Sequence, residues 1–135
     1  MKILIWALIL LSAGVSFAQS DLPDKGSLSD IKGKTKIYIA ADAINAGYIN
    51  SELAKHKEFA NTASADTAEF IVEYHTISTD TATSLQLPIE TGQVDVYFFR
   101  DGKRVVVWSK GDTKGNRGPA ASLFKQFLKD LAKTK

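Results

Sequence analysis

The 135-residue chain has no cysteine, one methionine and only three prolines. Without thiols there are no disulfides, no thiolate metal centres and no cysteine nucleophile, so stability has to come from one packed core. Long apolar runs are missing too, with one exception. Residues 1–18, MKILIWALILLSAGVSFA, place one cation, Lys2, before an apolar stretch from Ile3 to Ala13 and end in Ser16-Phe17-Ala18. This is the pattern of a cleaved signal peptide, and the apolar stretch is shorter than the roughly 20 residues that span a bilayer. The expectation is an exported product, periplasmic or secreted, with no transmembrane segment. Because no cysteine follows the apolar stretch, the product is also expected not to be lipid-anchored.

A large net charge is missing, since 17 Lys and Arg stand against 15 Asp and Glu and the formal net charge is +2. The distribution is uneven, however. Residues 37–99 hold two cations and nine acids, whereas residues 100–135 hold ten cations and three acids. Two oppositely charged segments that neutralise each other make an ordinary solvated surface; a basic patch for an anionic partner is the other reading. Nucleic acid is not an expected partner of an exported chain.

Catalytic signatures are absent as well. Ser109 lies in Trp-Ser-Lys-Gly, not in a Gly-x-Ser-x-Gly elbow. No phosphate-binding loop motif occurs. His56 and His75 fall on different elements without metal-ligand spacing, so neither a metal nor another cofactor is expected. Glu69 and Glu73 share one side of a strand, but four residues of extended chain separate them by about 13 Å, too far for paired glycosidase carboxylates. No enzyme activity is expected; a hydrolase would have to draw on His56, His75 or Glu73.

What is present is β-strand and helix patterning over most of the chain. Residues 19–33 read as a flexible polar lead and residues 34–135 as a single α+β domain. Lys36 to Ala40 reads as a strand. Asp42 or Asn45 can cap a helix that carries Ala46, Ile49, Leu53 and His56 on one face and ends near Lys57. A short strand at Phe59 to Thr62 precedes a longer one at Ala68 to Ser78, whose core side is Phe70, Val72 and Tyr74. Residues 79–91, TDTATSLQLPIET, follow neither period and read as a loop. Asp101-Gly102 between two β-branched and aromatic runs is a strong hairpin signal. It sets a register in which paired residue numbers sum to 203: Tyr97 opposes Val106, Val96 opposes Val107 and Asp95 opposes Trp108. Val94, Val96, Phe98, Val105 and Val107 then face the core, and Tyr97, Phe99, Val106 and Trp108 the other side. Pro119 suits a helix start, and Ala120, Leu123, Phe124, Phe127, Leu128 and Leu131 form one stripe behind it. The order β-α-β-β-β-β-α predicts a small mixed sheet of four to five strands with two helices on one face.

These residues carry a resemblance. ADTAEFIVEY (65–74), GQVDVY (92–97), RVVVWS (104–109) and the closing amphipathic helix resemble a group of exported bacterial domains of unknown function. That group is similar in turn to the amino-terminal domain of translocation protein B and to curli-secretion lipoproteins. The likeness covers about residues 34–133 and implies a non-enzymatic envelope domain that binds or scaffolds other envelope components. The chain departs from many such proteins in lacking the cysteine that carries a lipid.

Two surfaces stand out as candidate sites. The outer hairpin face, with Tyr97, Phe99, Arg104, Val106 and Trp108, has the Tyr, Trp and Arg enriched in binding hot spots. It is the expected contact surface for an unidentified envelope protein or glycan, unless loop 79–91 or the lead covers it. In the covered alternative Asp95 accepts the Trp108 indole N–H and Arg104 lies over Phe99. The alternative site is an anion-binding one at Lys114, Arg117 and Gly118, before the last helix.

Overall fold

The computed structural model of the chain describes residues 22–81, 88–115 and 118–135. The expected signal peptide, the start of the lead, the middle of the expected loop 79–91, and Arg117 lie outside these residues.

The strands are β1 (Asp24–Lys25), β2 (Lys36–Ala40), β3 (Ala60–Asn61), β4 (Phe70–Thr81), β5 (Pro88–Arg100) and β6 (Lys103–Gly115); the helices are α1 (Ala43–Leu53) and α2 (Ala120–Lys133). All six strands join one sheet in the order β1-β6-β5-β4-β2-β3. β1–β6, β2–β3 and β2–β4 are parallel pairs, and β4–β5 and β5–β6 are antiparallel. The α+β class and the mixed sheet are as expected. The sheet is one or two strands wider than expected, because β1 comes from the lead. Gly26 N–H donates to the Val106 carbonyl at 2.8 Å, and Ile31 is fully buried. An apolar residue that reaches the core outweighs the polar composition around it, so residues 22–33 belong to the domain.

Both helices cover one face of the sheet. The core joins Ile37 and Ile39 of β2, Phe70, Val72 and Tyr74 of β4, Val94 and Val96 of β5 and Val105 and Val107 of β6 to Ile49 and Leu53 of α1 and to the apolar stripe of α2. α1 starts at Asp42, whose carboxylate accepts from Asn45 N–H at 3.2 Å and from the Asn45 side chain at 2.8 Å. The side-chain hydrogen bond is the main reason that the Asp42 carboxyl titrates below its ordinary value.

Two register shifts shape the sheet beyond what alternation predicts. From Asp101-Gly102 inward the pairs follow the expected register as far as Tyr97–Val106. A bulge then makes Val96 face Trp108 and Asp95 face Ser109. A bulge places two residues of one strand opposite one of the other, which turns every later side chain over. Val107 and Trp108 therefore both lie on the helix side, and the Trp108 ring packs against Phe127 of α2 at 5.7 Å. A second shift, between Thr76 and Ser78 of β4, leaves Ile77 59% exposed.

The expected loop 79–91 is replaced, over its described residues, by the far ends of β4 and β5. Together with the end of β6 they form a three-stranded arm; Thr91 and Thr113 join their hydroxyls across it at 2.8 Å. Ser78, Thr79 and Asp80 are all exposed. With three consecutive exposed polar residues there, alternation is not needed, and cross-strand pairing holds the arm together.

Gly92 has a packing reason of its own. The Tyr74 ring crosses the place where a Gly92 side chain would stand, and its hydroxyl donates to the Glu90 carboxylate. Burial first, then this carboxylate, pushes the Tyr74 hydroxyl well above its ordinary value.

Candidate functional site

The site is built on the sheet face that carries no helix. Tyr38 of β2, Ile71 of β4, Tyr97 of β5 and Val106 of β6 are successive cross-strand partners, so they form one row across four strands. One pleat further along the strands comes a polar row of Glu73, Asp95 and Ser109, and beyond it His75 pairs with Gln93. On the other side of the apolar row, nearer the hairpin turn, Phe99 pairs with Arg104.

Arg104 ties the rows together. Its guanidinium lies 3.9 Å from the centre of the Tyr97 ring and donates to Glu73 Oε2 at 2.8 Å. Phe99 meets Tyr97 edge to face at 5.8 Å and is itself 58% exposed. Tyr97 is only 8% exposed, although no helix covers it. Burial, and next the Glu73 carboxylate, raise its hydroxyl above the ordinary value. A cation over an aromatic face contributes roughly 0.5–2 kcal/mol, and a part-exposed ion pair about 1 kcal/mol or less. The two contacts hold Arg104 in place on this face.

The polar row gathers ligand-type groups. His75 Nε2 lies 3.4 Å from Asp95 Oδ2 and His75 Nδ1 3.9 Å from Glu73 Oε2. Asp95 Oδ1 accepts from Gln93 at 2.9 Å and from Ser109. Glu73, His75 and Asp95 could in principle surround a metal ion, a grouping that the sequence reading, which expected none, did not anticipate. The Arg104 guanidinium opposes this use, since it occupies Glu73 Oε2 and adds a positive charge. The order of contacts, Ser109 to Asp95 to His75, also differs from a nucleophile–base pair, because the carboxylate stands between hydroxyl and imidazole. Glu73 and Asp95 meet because they are cross-strand partners. The reading along one strand compared Glu73 with Glu69 and missed Asp95; only the β4–β5 register reveals the pair.

The structure keeps four of the five expected contact residues on this face, with Arg104 and Val106 half-buried, and moves the fifth. Trp108 lies beneath α2, and its indole N–H donates to Asp130 at 3.0 Å rather than to Asp95. Arg104 lies over Tyr97 rather than Phe99. Both corrections have local causes, the bulge for Trp108 and the Glu73 ion pair for Arg104.

The alternative anion site fares differently. Lys114 is exposed on the arm, and Arg117 lies outside the described residues. Gly118 adopts φ +72°, and a side chain there would meet Glu90 Oε2 at 2.6 Å. A carboxylate at the start of α2 repels the anion that the site was expected to hold.

No family model matches the chain, and no curated protein matches it. Solved structures do. PelC from Paraburkholderia phytofirmans, described as a dodecamer, is 15% identical with a TM-score of 0.51 over 80% of this chain and 92% of that one. A minor lipoprotein from Acinetobacter baumannii is 11% identical over 73% and 92%, with a TM-score of 0.43. Lipoprotein GNA1162 from Neisseria meningitidis is 9% identical over 73% and 96%, with a TM-score of 0.37. At such identities the likeness is one of fold. It also corrects the expectation of a product that is not lipid-anchored: structural neighbours of this chain are named lipoproteins, and that expectation is withdrawn. Among the described residues no helix is long and apolar enough to cross a membrane.

Proposed function

We propose that the chain is an exported, non-catalytic domain of the bacterial envelope that acts by binding a protein partner through the helix-free face of its sheet. The observation that carries this reading is Phe99, an exposed aromatic ring beside a pre-ordered Arg104 and a nearly buried Tyr97. Aromatic and arginine side chains held rigid before contact lose little entropy on binding. The leader-like residues 1–18 support export. The resemblance to the amino-terminal domain of translocation protein B and to curli-secretion proteins, and the lipoprotein names among the structural neighbours, support the envelope. The interposed Asp95 and the Arg104–Glu73 pair speak against a hydrolase or a metal enzyme on the same face.

Site-specific photo-crosslinking tests the proposal. A photoreactive phenylalanine analogue at Phe99 should give a discrete adduct in envelope extract, reduced by Arg104→Ala. The same analogue at Ser51, exposed on α1, should not. Equal adducts at both positions, or none at Phe99, overturn it.

A further inference from the structure

On the helical side, away from the face just described, a groove of about 650 Å³ opens between α2, the turn before β2 and the segment after α1. Its volume falls within the roughly 300–1,000 Å³ of small-molecule sites. The floor is apolar. Phe59 lies edge to face on core residue Phe70 at 6.4 Å, and Leu128 and Leu131 are 7% and 6% exposed.

The rim carries Lys32, Lys34, Lys125 and Lys129 from two separate parts of the chain. The single acid of the lining, Glu58, faces His56 at 3.6 Å. Lys125 is shared with Glu52 at 3.6 Å, and Lys32 donates to the Leu131 carbonyl at 2.9 Å, which offsets the negative end of the α2 dipole. Among the described residues Lys129 makes no ion pair, and its rim position leaves the ammonium group available. Lysine stems lie along apolar walls while their charged ends stay in water.

We infer that this groove binds a single-chain anionic amphiphile, the alkyl chain on Phe59, Leu128 and Leu131 and the anionic head between Lys34 and Lys129. The charge argument favours an anion: four lysines against one carboxylate in the lining. The recessed floor favours one inserted chain over a flat bilayer, which would reach the lysines but not Leu128 or Leu131.

Isothermal titration of the purified chain with dodecyl phosphate below its micelle concentration tests the inference, with dodecyl maltoside as the neutral counterpart. Dodecyl phosphate should bind and dodecyl maltoside should bind at least about tenfold more weakly. Lys34→Ala combined with Lys129→Ala should weaken dodecyl phosphate by about tenfold or more. Ala132 lines the groove and is exposed, so Ala132→Trp fills the space without burying new charge. That variant should abolish binding while thermal denaturation stays close to the parent. Equal affinity for both detergents, unchanged binding by folded Ala132→Trp, or binding to phosphatidylglycerol vesicles without binding to monomeric dodecyl phosphate would each overturn the inference.

Discussion

Trp108→Ala tests the bulge that takes this residue off the proposed binding face. Core Trp or Phe to Ala substitutions cost about 3–5 kcal/mol. Trp108 is half-buried, and scaling for its exposure leaves about 2 kcal/mol for the contact with Phe127 and its neighbours. The indole hydrogen bond to the Asp130 carboxylate adds about 1 kcal/mol. The expected loss is therefore about 3 kcal/mol by urea denaturation. Trp108→Phe keeps most of the packing and should lose only about 1 kcal/mol. A double-mutant cycle with Asp130→Ala should recover a coupling of about the same size. On the uncovered face, by contrast, Trp108→Ala would stay within about 0.5 kcal/mol of the parent. A value that small, with no coupling to Asp130, would refute the bulge and return Trp108 to the contact surface.

Gly92→Ala places a methyl group in the Tyr74 ring and should cost about 1–3 kcal/mol, read by the same denaturation; a neutral result would show that Tyr74 does not cross Gly92. Gly47→Ala, inside α1 with nothing near the new carbon, should raise stability by about 0.5–1 kcal/mol, seen as a higher denaturation midpoint. Asp42→Ala should cost about 1 kcal/mol through the lost cap. Since the folded carboxyl titrates below its unfolded value, the parent should hold this contribution above about pH 4 and lose it as pH falls through the lower folded value; denaturation across pH checks that the variant has lost this acid dependence. Tyr97 is raised instead, so its contribution is present below about pH 10 and lost as pH climbs higher; Tyr97→Phe should flatten the alkaline limb of the stability curve.

Much of the architecture was legible because period and turn chemistry act locally. Lys36–Ala40, the Asp42 cap, the Asp101-Gly102 turn and the α2 stripe all lie where pattern places them. What was not legible depends on contacts between distant segments. β1 is two exposed residues, and it exists because β6 offers a margin to pair with. The bulge at Val107 has no composition cue, since Val105, Val106 and Val107 are chemically alike, and one extra residue was enough to take Trp108 out of the proposed contact set. The Glu73–His75–Asp95 group shows the same limit: its members come from two strands, and their meeting is a matter of register.

The arm made by the ends of β4, β5 and β6 leaves one lasting consequence. β1 covers β6 at only Val105 and Val106, so from Ser109 onward, among the described residues, the outer margin of β6 has no neighbouring strand. Bare margins of this length invite other chains to dock by backbone pairing, the first step toward aggregates. Lys110, Asp112 and Lys114 sit along it. Desolvating those charges makes such docking unfavourable, so Lys110, Asp112 and Lys114 oppose the pairing of a second chain along this margin.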